Sequence, residues 1–314
     1  MSIKTINSID LVIFSFFRLL LGLFFLLPRR LCLLAGSALG TLLFYADNRH
    51  RRLALENLNK AFGKELSSAE LRQIARNSFK HFGLVIADNL KWTHLGESRR
   101  EKLLAIEGEE YVHRALEEGK GVLLFSAHLG NWEVASSAIS KIGRLSVVAR
   151  PLDNRLLEKE LARFRDSLGV RVISKHQAAR PILQSLRRNE IVAILIDQNV
   201  LRSQAVFVDF FGLPAATTPS LASFYLRARS PLLPVFCYST PSSSYLIKVG
   251  KPLEIELTGD SKQDVLKITQ CSTKIIEAEI RDHPSSWFWF HNRWKTRPEG
   301  DGAAGESADG EKDE

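Results

Sequence analysis

The chain has 314 residues, 45% of them hydrophobic, which is enough to bury a core of its own, and its formal net charge is +8. That charge is uneven: residues 299–314 hold seven acids against one lysine, and setting this −6 aside leaves the rest of the chain at +14. So basic a body points to an anionic partner, and three scattered cysteines (Cys32, Cys237, Cys271) with no C-x-x-C pair exclude a disulfide scaffold or zinc finger and suit free thiols in a reducing compartment.

In chain order, LVIFSFFRLLLGLFFLLP (residues 11–28) is almost wholly apolar, interrupted by Arg18 and closed by Pro28, Arg29 and Arg30. It is slightly shorter than the roughly 20 residues that cross hydrocarbon. A second apolar run, LCLLAGSALGTLLFYA (residues 31–46), leads into the basic cluster Arg49, His50, Arg51 and Arg52. A cleaved signal peptide, a buried core helix and a membrane anchor all fit such a run. The small residues 35–38 suit cleavage, but Lys4 alone makes a thin positive n-region. The reading adopted is an anchor over residues 1–48, spanning or half-inserted. Basic residues on its C-terminal side put the body in the cytoplasm, facing anionic headgroups. Arg18 would snorkel or find a partner within the bilayer.

Residues 49–104 read as a helical layer. RRLALENLNKAFG (51–63) has helical spacing and ends in glycine. Residues 67–92 open with the capping-box pair Ser67 and Glu70 and place Leu71, Ile74, Ala75, Phe79 and Phe82 on one face. From 105 to 298 the pattern changes to short β-rich runs (121–127, 145–149, 170–174, 191–196, 232–238, 245–249) alternating with helices (109–118, 132–142, 156–168, 179–188, 219–229). A long final helix covers about 264–281. Thr218 and Pro219 supply the cap and first position of the 219–229 helix. This alternation predicts an α/β domain with a parallel or mixed sheet flanked by helices. Residues 299–314, rich in glycine, alanine, serine and acids, read as a disordered tail.

The chemistry gathers at SAHLGNWE. His128 ends the 121–127 strand, Gly130 permits a sharp turn, Asn131 caps the next helix, and Glu133 falls in its first turn, where the dipole favours a carboxylate. Ligands in open α/β sheets gather at the carboxyl ends of strands. A neutral imidazole there takes a proton from a hydroxyl, and a carboxylate on its other nitrogen fixes the tautomer and stabilises the imidazolium. Across a turn, residues five apart face each other. A continuous helix would need spacings of three or four, and the pair is not the His-x-x-x-His spacing of a helical metal site. By itself, H-x4-E fits the polar rim of a strand-to-helix turn equally well.

At this stretch the chain resembles the lipid A biosynthesis lauroyl/myristoyl (late) acyltransferases of the lysophospholipid acyltransferase superfamily. Four blocks carry the resemblance: residues 106–133 around SAHLGNWE, 147–169 (VVARPLDNRLLEKELARFRDSLG), 192–236 with IDQNV and FFGLPAATTPS, and WFWFHNRWKTRP at 287–298. The hydrophobic N-terminus and NRHRRLALENLNKAF fit the same family. The resemblance implies a glycerolipid-acyltransferase-like α/β fold with one N-terminal membrane helix. It implies transfer of a fatty acyl chain from acyl carrier protein (in some relatives a CoA thioester) to a glycolipid hydroxyl at the cytoplasmic face of the bacterial inner membrane, with no metal or bound cofactor. It also implies that His128 is the general base and Glu133 orients it, that Arg150 meets acceptor phosphate or transition-state charge, and that Asp197 and Gln198 stand at the same sheet edge. Asn131, Arg293 and Lys295 are further substrate-binding candidates. His291 falls in the last block and carries no assigned role. Residues 210–220 are expected as an acyl or acceptor loop leading to a helix N-terminus, and residues 287–290 as core packing or an interfacial aromatic belt.

Acyl carrier proteins and phosphorylated lipid A precursors are both acidic, which matches the basic body. Two other readings are retained. One is an acyltransferase of the same superfamily acting on another glycolipid or a lysophospholipid. The other is a non-catalytic, lipid-binding protein of the membrane surface. Nucleic acid is disfavoured, because aromatic and basic residues interleave only at 287–295.

Overall fold

The computed structural model describes residues 7–92 and 94–299. Apart from Glu299, the acidic tail expected over 299–314 lies outside the described residues.

Helix α1 (Ser8–Leu26) is capped by Asn7, whose side chain accepts from the Asp10 amide at 2.7 Å. With a mean hydropathy of 2.3, it is the single helix among the described residues that is long and apolar enough to cross a membrane by itself. Leu11, Phe16, Leu19 and Leu23 stand exposed along it. After Pro28 the chain forms α2 (Arg29–Ala46), and α3 (Asn48–Phe62) departs at a bend of 89°. In α4 (Ser68–Trp92) the expected capping box is present: the Ser67 amide donates to Glu70 Oε2 at 2.8 Å, and the Glu70 amide to Ser67 Oγ at 3.4 Å. Leu71, Ala75, Phe79 and Phe82 form its buried face.

Helices α2 and α4 meet backbone against backbone. A Cβ on Gly36 would overlap the Gly83 carbonyl oxygen, one on Gly40 the Phe79 carbonyl oxygen, and one on Gly83 the Gly36 carbonyl oxygen. Only glycine allows this approach, the small-residue packing that serves helices without a water-driven hydrophobic force between them. The far side of α2 leaves Leu31, Leu34, Leu42, Leu43 and Tyr45 exposed. Together with α1 this makes a broad apolar surface of the kind that soluble monomers avoid.

The α/β part follows: α5 (Glu97–Glu101), β1 (Leu104–Glu107), α6 (Glu109–Glu117), β2 (Val122–Ser126), α7 (Trp132–Ile139), β3 (Leu145–Ala149), α8 (Arg155–Ser167), β4 (Val170–Ser174), α9 (Ala179–Arg187), β5 (Ile191–Leu195), β6 (Val206–Phe210), β7 (Leu213–Thr217), α10 (Ser220–Ala228), β8 (Leu232–Ser239), β9 (Tyr245–Val249) and α11 (Ser261–Asp282). The main sheet has seven strands in the order β1-β9-β8-β2-β5-β3-β4, parallel throughout except for β8 against β9. This is the mixed, helix-flanked sheet that the sequence predicts.

Two features differ from expectation. Strand β1 straddles the expected boundary at 104/105 and is not among the expected strands; its four residues are too few for a periodic signal. Residues 206–217, read in part as a loop, form the antiparallel hairpin β6–β7, turning at Phe211 (φ 57°) and Gly212 (φ 74°). Two successive positive φ values suit a two-residue hairpin turn, where Asn-Gly is the common signal and phenylalanine is not. Arg18, left open above, lies 3.6 Å from Glu160 of α8, and Asn154 at the α8 cap donates to the Asp10 carbonyl at 3.1 Å, so α1 leans on α8.

The site is positioned by the crossovers. Neighbouring parallel strands β2 and β5 send their chains in opposite directions, β2 toward β3 and β5 toward β8. Their helices therefore pack on opposite faces: α7 with Leu124, Ile191 and Val235 in one core, α9 and α10 with Leu123, Phe125 and Ile194 in the other. The carboxyl ends of β2 and β5 thus open into a crevice, the usual ligand position of such sheets.

Valine in place of Gly83 should separate α2 from α4 and cost about 1–3 kcal/mol, the usual scale of overpacking. Thermal unfolding in detergent should record a lower midpoint for Gly83→Val, with Gly22→Val, where a Cβ meets nothing within 4 Å, as the neutral control.

Candidate active site

Strand β2 ends at Ser126, and the chain turns through His128, Leu129 and Gly130 before Asn131 caps α7 by accepting from the Val134 amide at 3.2 Å. Gly130 has φ +64°, and a Cβ there would overlap the Cys237 carbonyl oxygen of β8. Its amide donates to the Ser286 carbonyl at 2.9 Å, and the Phe288 amide donates to the His128 carbonyl at 3.0 Å. The turn is thus wedged between β8 and the segment that follows α11, which fixes where the His128 ring starts.

That ring is held by Asp197, just past the end of β5. Nδ1 of His128 lies 2.9 Å from Asp197 Oδ1, and the His128 amide donates to Oδ2 at 2.9 Å. The Trp287 indole N–H adds a third bond to Oδ2 at 2.8 Å. Asp197 is buried, which pushes its carboxyl up, but the charge of His128 and these hydrogen bonds outweigh burial and hold it at about 2. An ionised Asp197 accepts a hydrogen bond from Nδ1–H, so in the neutral ring the lone pair is on Nε2, which is able to take a proton. Trp132 packs edge-on against the ring at 5.0 Å between centroids.

Here the arrangement departs from the sequence reading. Glu133 does lie in the first turn of α7 and is buried, but it does not pair with His128. Both its oxygens are taken by Arg165 of α8, with Nε at 3.2 and 3.1 Å from Oε1 and Oε2 and Nη2 at 2.5 Å from Oε1. The reason is directional: α7 turns its first residues toward α8, whereas β5 ends beside β2 and carries Asp197 directly to the ring. The spacing argument pointed to Glu133, whereas the carboxylate bonded to the ring is that of Asp197.

A cavity of about 950 Å³ opens at this edge. His128, Glu133, Arg165, Gln198, Asn199 and His291 supply its polar lining, and Leu124, Ala135, Ile139, Val147, Ala193 and Val235 an apolar one. Arg150 also lines it, half-exposed and 3.6 Å from Asp153. Three of the expected substrate contacts lie elsewhere. Asn131 is fully buried, its oxygen capping α7 and its amide donating to the Tyr245 hydroxyl at 3.1 Å. Arg293 is 1% exposed and donates to the Ala216 carbonyl at 2.6 Å and Thr217 Oγ1 at 2.5 Å, behind the hairpin. Lys295 is exposed on the surface and is not part of the cavity wall. The reading also missed Arg165, hidden among the basic residues of an amphipathic helix, and gave no role to His291, which accepts a hydrogen bond from the Asn199 amide at 2.7 Å.

The family model of bacterial lipid A biosynthesis acyltransferases matches residues 5–296. The chain is 25% identical over 273 residues to a lipid A biosynthesis palmitoleoyltransferase of Escherichia coli (strain K12), covering 86% of this chain and 87% of that protein. A lipid A biosynthesis lauroyltransferase of the same strain is 23% identical over 84% of this chain and 85% of its own length. A phosphatidylinositol mannoside acyltransferase of Mycobacterium tuberculosis (strain CDC 1551 / Oshkosh) is 27% identical over 60% of this chain and 59% of its own.

Two outcomes test the electrostatics. Arg165→Met should strand the buried Glu133 charge and cost about 3–5 kcal/mol, whereas the double variant with Glu133→Gln should recover most of it; a urea-unfolding cycle measures both. The folded pKa of Asp197 is depressed, so its ionised form stabilises the fold above the unfolded value of about 4 and that contribution is lost as pH falls through about 2. Asp197→Asn should therefore unfold more easily than wild type at pH 7, with the gap narrowing below about pH 4 as wild type protonates.

Proposed function

The chain belongs to the bacterial lipid A biosynthesis acyltransferase family and is an O-acyltransferase, and on that footing we propose that it moves a fatty acyl chain from acyl carrier protein to a hydroxyl of a lipid A precursor at the cytoplasmic face of the inner membrane. The observation that carries the reading is His128 with Nδ1 held by the buried Asp197 at the mouth of a partly apolar cavity. Nε2 of His128 removes the acceptor's hydroxyl proton, and the oxygen attacks the thioester carbonyl carbon. The tetrahedral intermediate collapses with cleavage of the C–S bond, and the departing thiolate takes the proton back from the imidazolium. No acyl-enzyme is needed, and no metal or bound cofactor; the acyl thioester is a co-substrate.

Several features support the finer parts. The apolar wall from Leu124 to Val235 suits a hydrocarbon chain. Arg150 and Gln198 at the polar side suit a phosphorylated sugar. The +14 body steers acidic partners, both the carrier protein and the phosphorylated acceptor. The exposed apolar faces of α1 and α2, bordered by Arg29, Arg30, Arg49, Arg51 and Arg52, suit a bilayer whose basic-flanked side is cytoplasmic. The mycobacterial relative acts by its name on a phosphatidylinositol mannoside, which supports a second reading with a different glycolipid acceptor.

Mass spectrometry of products from the purified enzyme should resolve acceptor and donor together. Acyl carrier protein thioesters of several chain lengths, and the matching CoA esters, would be offered with a tetra-acylated lipid A precursor or a phosphatidylinositol mannoside. One added acyl group on the lipid A precursor is expected; transfer only to the mannoside establishes the second reading, and transfer to neither sinks both. In the same assay His128→Ala should lose nearly all turnover and Asp197→Asn about 10²–10⁴-fold, the scale of an acid–base contribution, while Lys295→Ala stays close to wild type.

A further inference from the structure

Two imidazoles line the cavity, and their hydrogen bonds put the proton on Nδ1 of both rings while leaving opposite nitrogens free. His128 donates its Nδ1–H to Asp197, so its free nitrogen, Nε2, is a base. On His291 the free nitrogen is the other one. Its Nε2 accepts the Asn199 backbone N–H at 2.7 Å, and a backbone amide can only donate. The lone pair is therefore on Nε2, and a neutral ring must carry its proton on Nδ1. That Nδ1 has no hydrogen-bond partner among the described residues and is not sealed off in the interior. We propose that His291 is a catalytic residue, donating its Nδ1–H to the thioester carbonyl oxygen as that oxygen becomes an oxyanion.

The proposal rests on the reading of His128 as the base. One ring takes the proton that the nucleophile loses, and the other meets the negative charge that the electrophile gains. No proton leaves His291: the hydrogen bond strengthens as the carbonyl carbon becomes tetrahedral and relaxes as the C–S bond breaks and the carbonyl re-forms. Such a donor works best if fixed in advance. Asn57 Nδ2 donates to the His291 carbonyl at 2.7 Å and the Arg293 amide to the same oxygen at 2.9 Å, so the backbone beneath the ring is held from two sides.

The surroundings keep the ring in this state. Burial lowers its pKa most; Asp197 raises it, and Arg293, His128 and Lys295 lower it further, with the result at about 4. At neutral pH the ring is uncharged, so Nε2 keeps its bond to Asn199 and Nδ1 remains a neutral donor. A neutral imidazole held from protonating is a known way to polarise a carbonyl.

The test has a spectroscopic and a kinetic arm, both on the full-length enzyme in detergent. ¹⁵N spectra of histidine-labelled protein, with His128 and His291 assigned by the loss of signal in His128→Gln and His291→Gln, should find Nδ1 protonated on both rings. Nε2 of His291, unlike that of His128, should be hydrogen-bonded, and His291 should stay neutral down to about pH 4. In the transfer assay His291→Leu should lower kcat about 10²–10³-fold, as loss of one oxyanion donor does, with KM for both substrates little changed. His291→Gln, whose oxygen can accept from Asn199 while its N–H donates, should recover most of that loss. Turnover of His291→Leu within about threefold of wild type, when His128→Ala is inactive, would overturn the proposal and leave the base reading intact; an active His128→Ala would overturn the base reading instead. If His291→Leu does not fold, the spectrum decides: an Nε2-protonated His291, or one titrating near the ordinary 6.5, overturns the proposal.

Discussion

A buried carboxylate is the constraint from which the rest of the site follows. An ionised aspartate taken out of water costs several kcal/mol unless its oxygens are satisfied. Asp197 meets that demand from segments far apart in sequence: the amide and ring of His128 after β2, and the indole of Trp287 after α11. The carboxylate can stay charged only where the three meet, so its solvation and the placement of His128 are one requirement. Trp287 is itself fixed, because Ser78 of α4 donates to its carbonyl at 2.9 Å and Leu129 bridges to its backbone. From α4 in the helical layer to the His128 ring is a path of two residues, Trp287 and Asp197.

The helical layer therefore does more than sit beside an anchor. Asn57 of α3 donates to the carbonyls of Trp289 and His291, and Ser78 of α4 to that of Trp287. Residues 287–291 are thus hung from the two helices that continue out of the α2 bend. On the other side of the cavity, α8 carries Arg165 inward to Glu133 while Glu160 and Asn154 reach α1. Both walls of the cavity are in this way tied to the apolar helices. A lipid acceptor with its chains in a bilayer and its head group in water suits that arrangement, since the elements that would meet its two halves are mechanically continuous.

Much of this was legible in the sequence for physical reasons. Apolar runs identified β2, β3, β4, β5, β8 and β9, and the capping box at Ser67 and Glu70 identified the start of α4, because period and cap are local signals. His128 and Gly130 could be placed because a strand end, a glycine and an N-cap follow one another within a few residues. What escaped depends on contacts distant in sequence. Glu133 and Asp197 look alike as carboxylates near a strand end, and only the adjacency of β2 and β5 tells which one reaches the ring. The β6–β7 hairpin escaped because its turn uses Phe211, which gives no warning of a positive φ. Arg293 stood among the substrate-binding candidates because nothing local reports that an arginine is fully buried.

Arg293 also explains why the aromatic block near the C-terminus behaves as a unit. Its guanidinium lies 5.1 Å from the centroid of the Phe210 ring, and its Nη atoms close the end of β7. Burial pulls its pKa down and Asp197 pulls it up, leaving it at about 10 and so still charged at neutrality. A cation and an anion thus share one dry region. In a low dielectric their attraction persists over distances at which water would have screened it, and each lowers the cost of burying the other. Asp197 needs Trp287 as a donor, and Arg293 needs the hairpin carbonyl and the Phe210 face. Residues 287–293 supply both the indole and the guanidinium, so placing that segment once positions His291 over the cavity and supports the charge that aims His128.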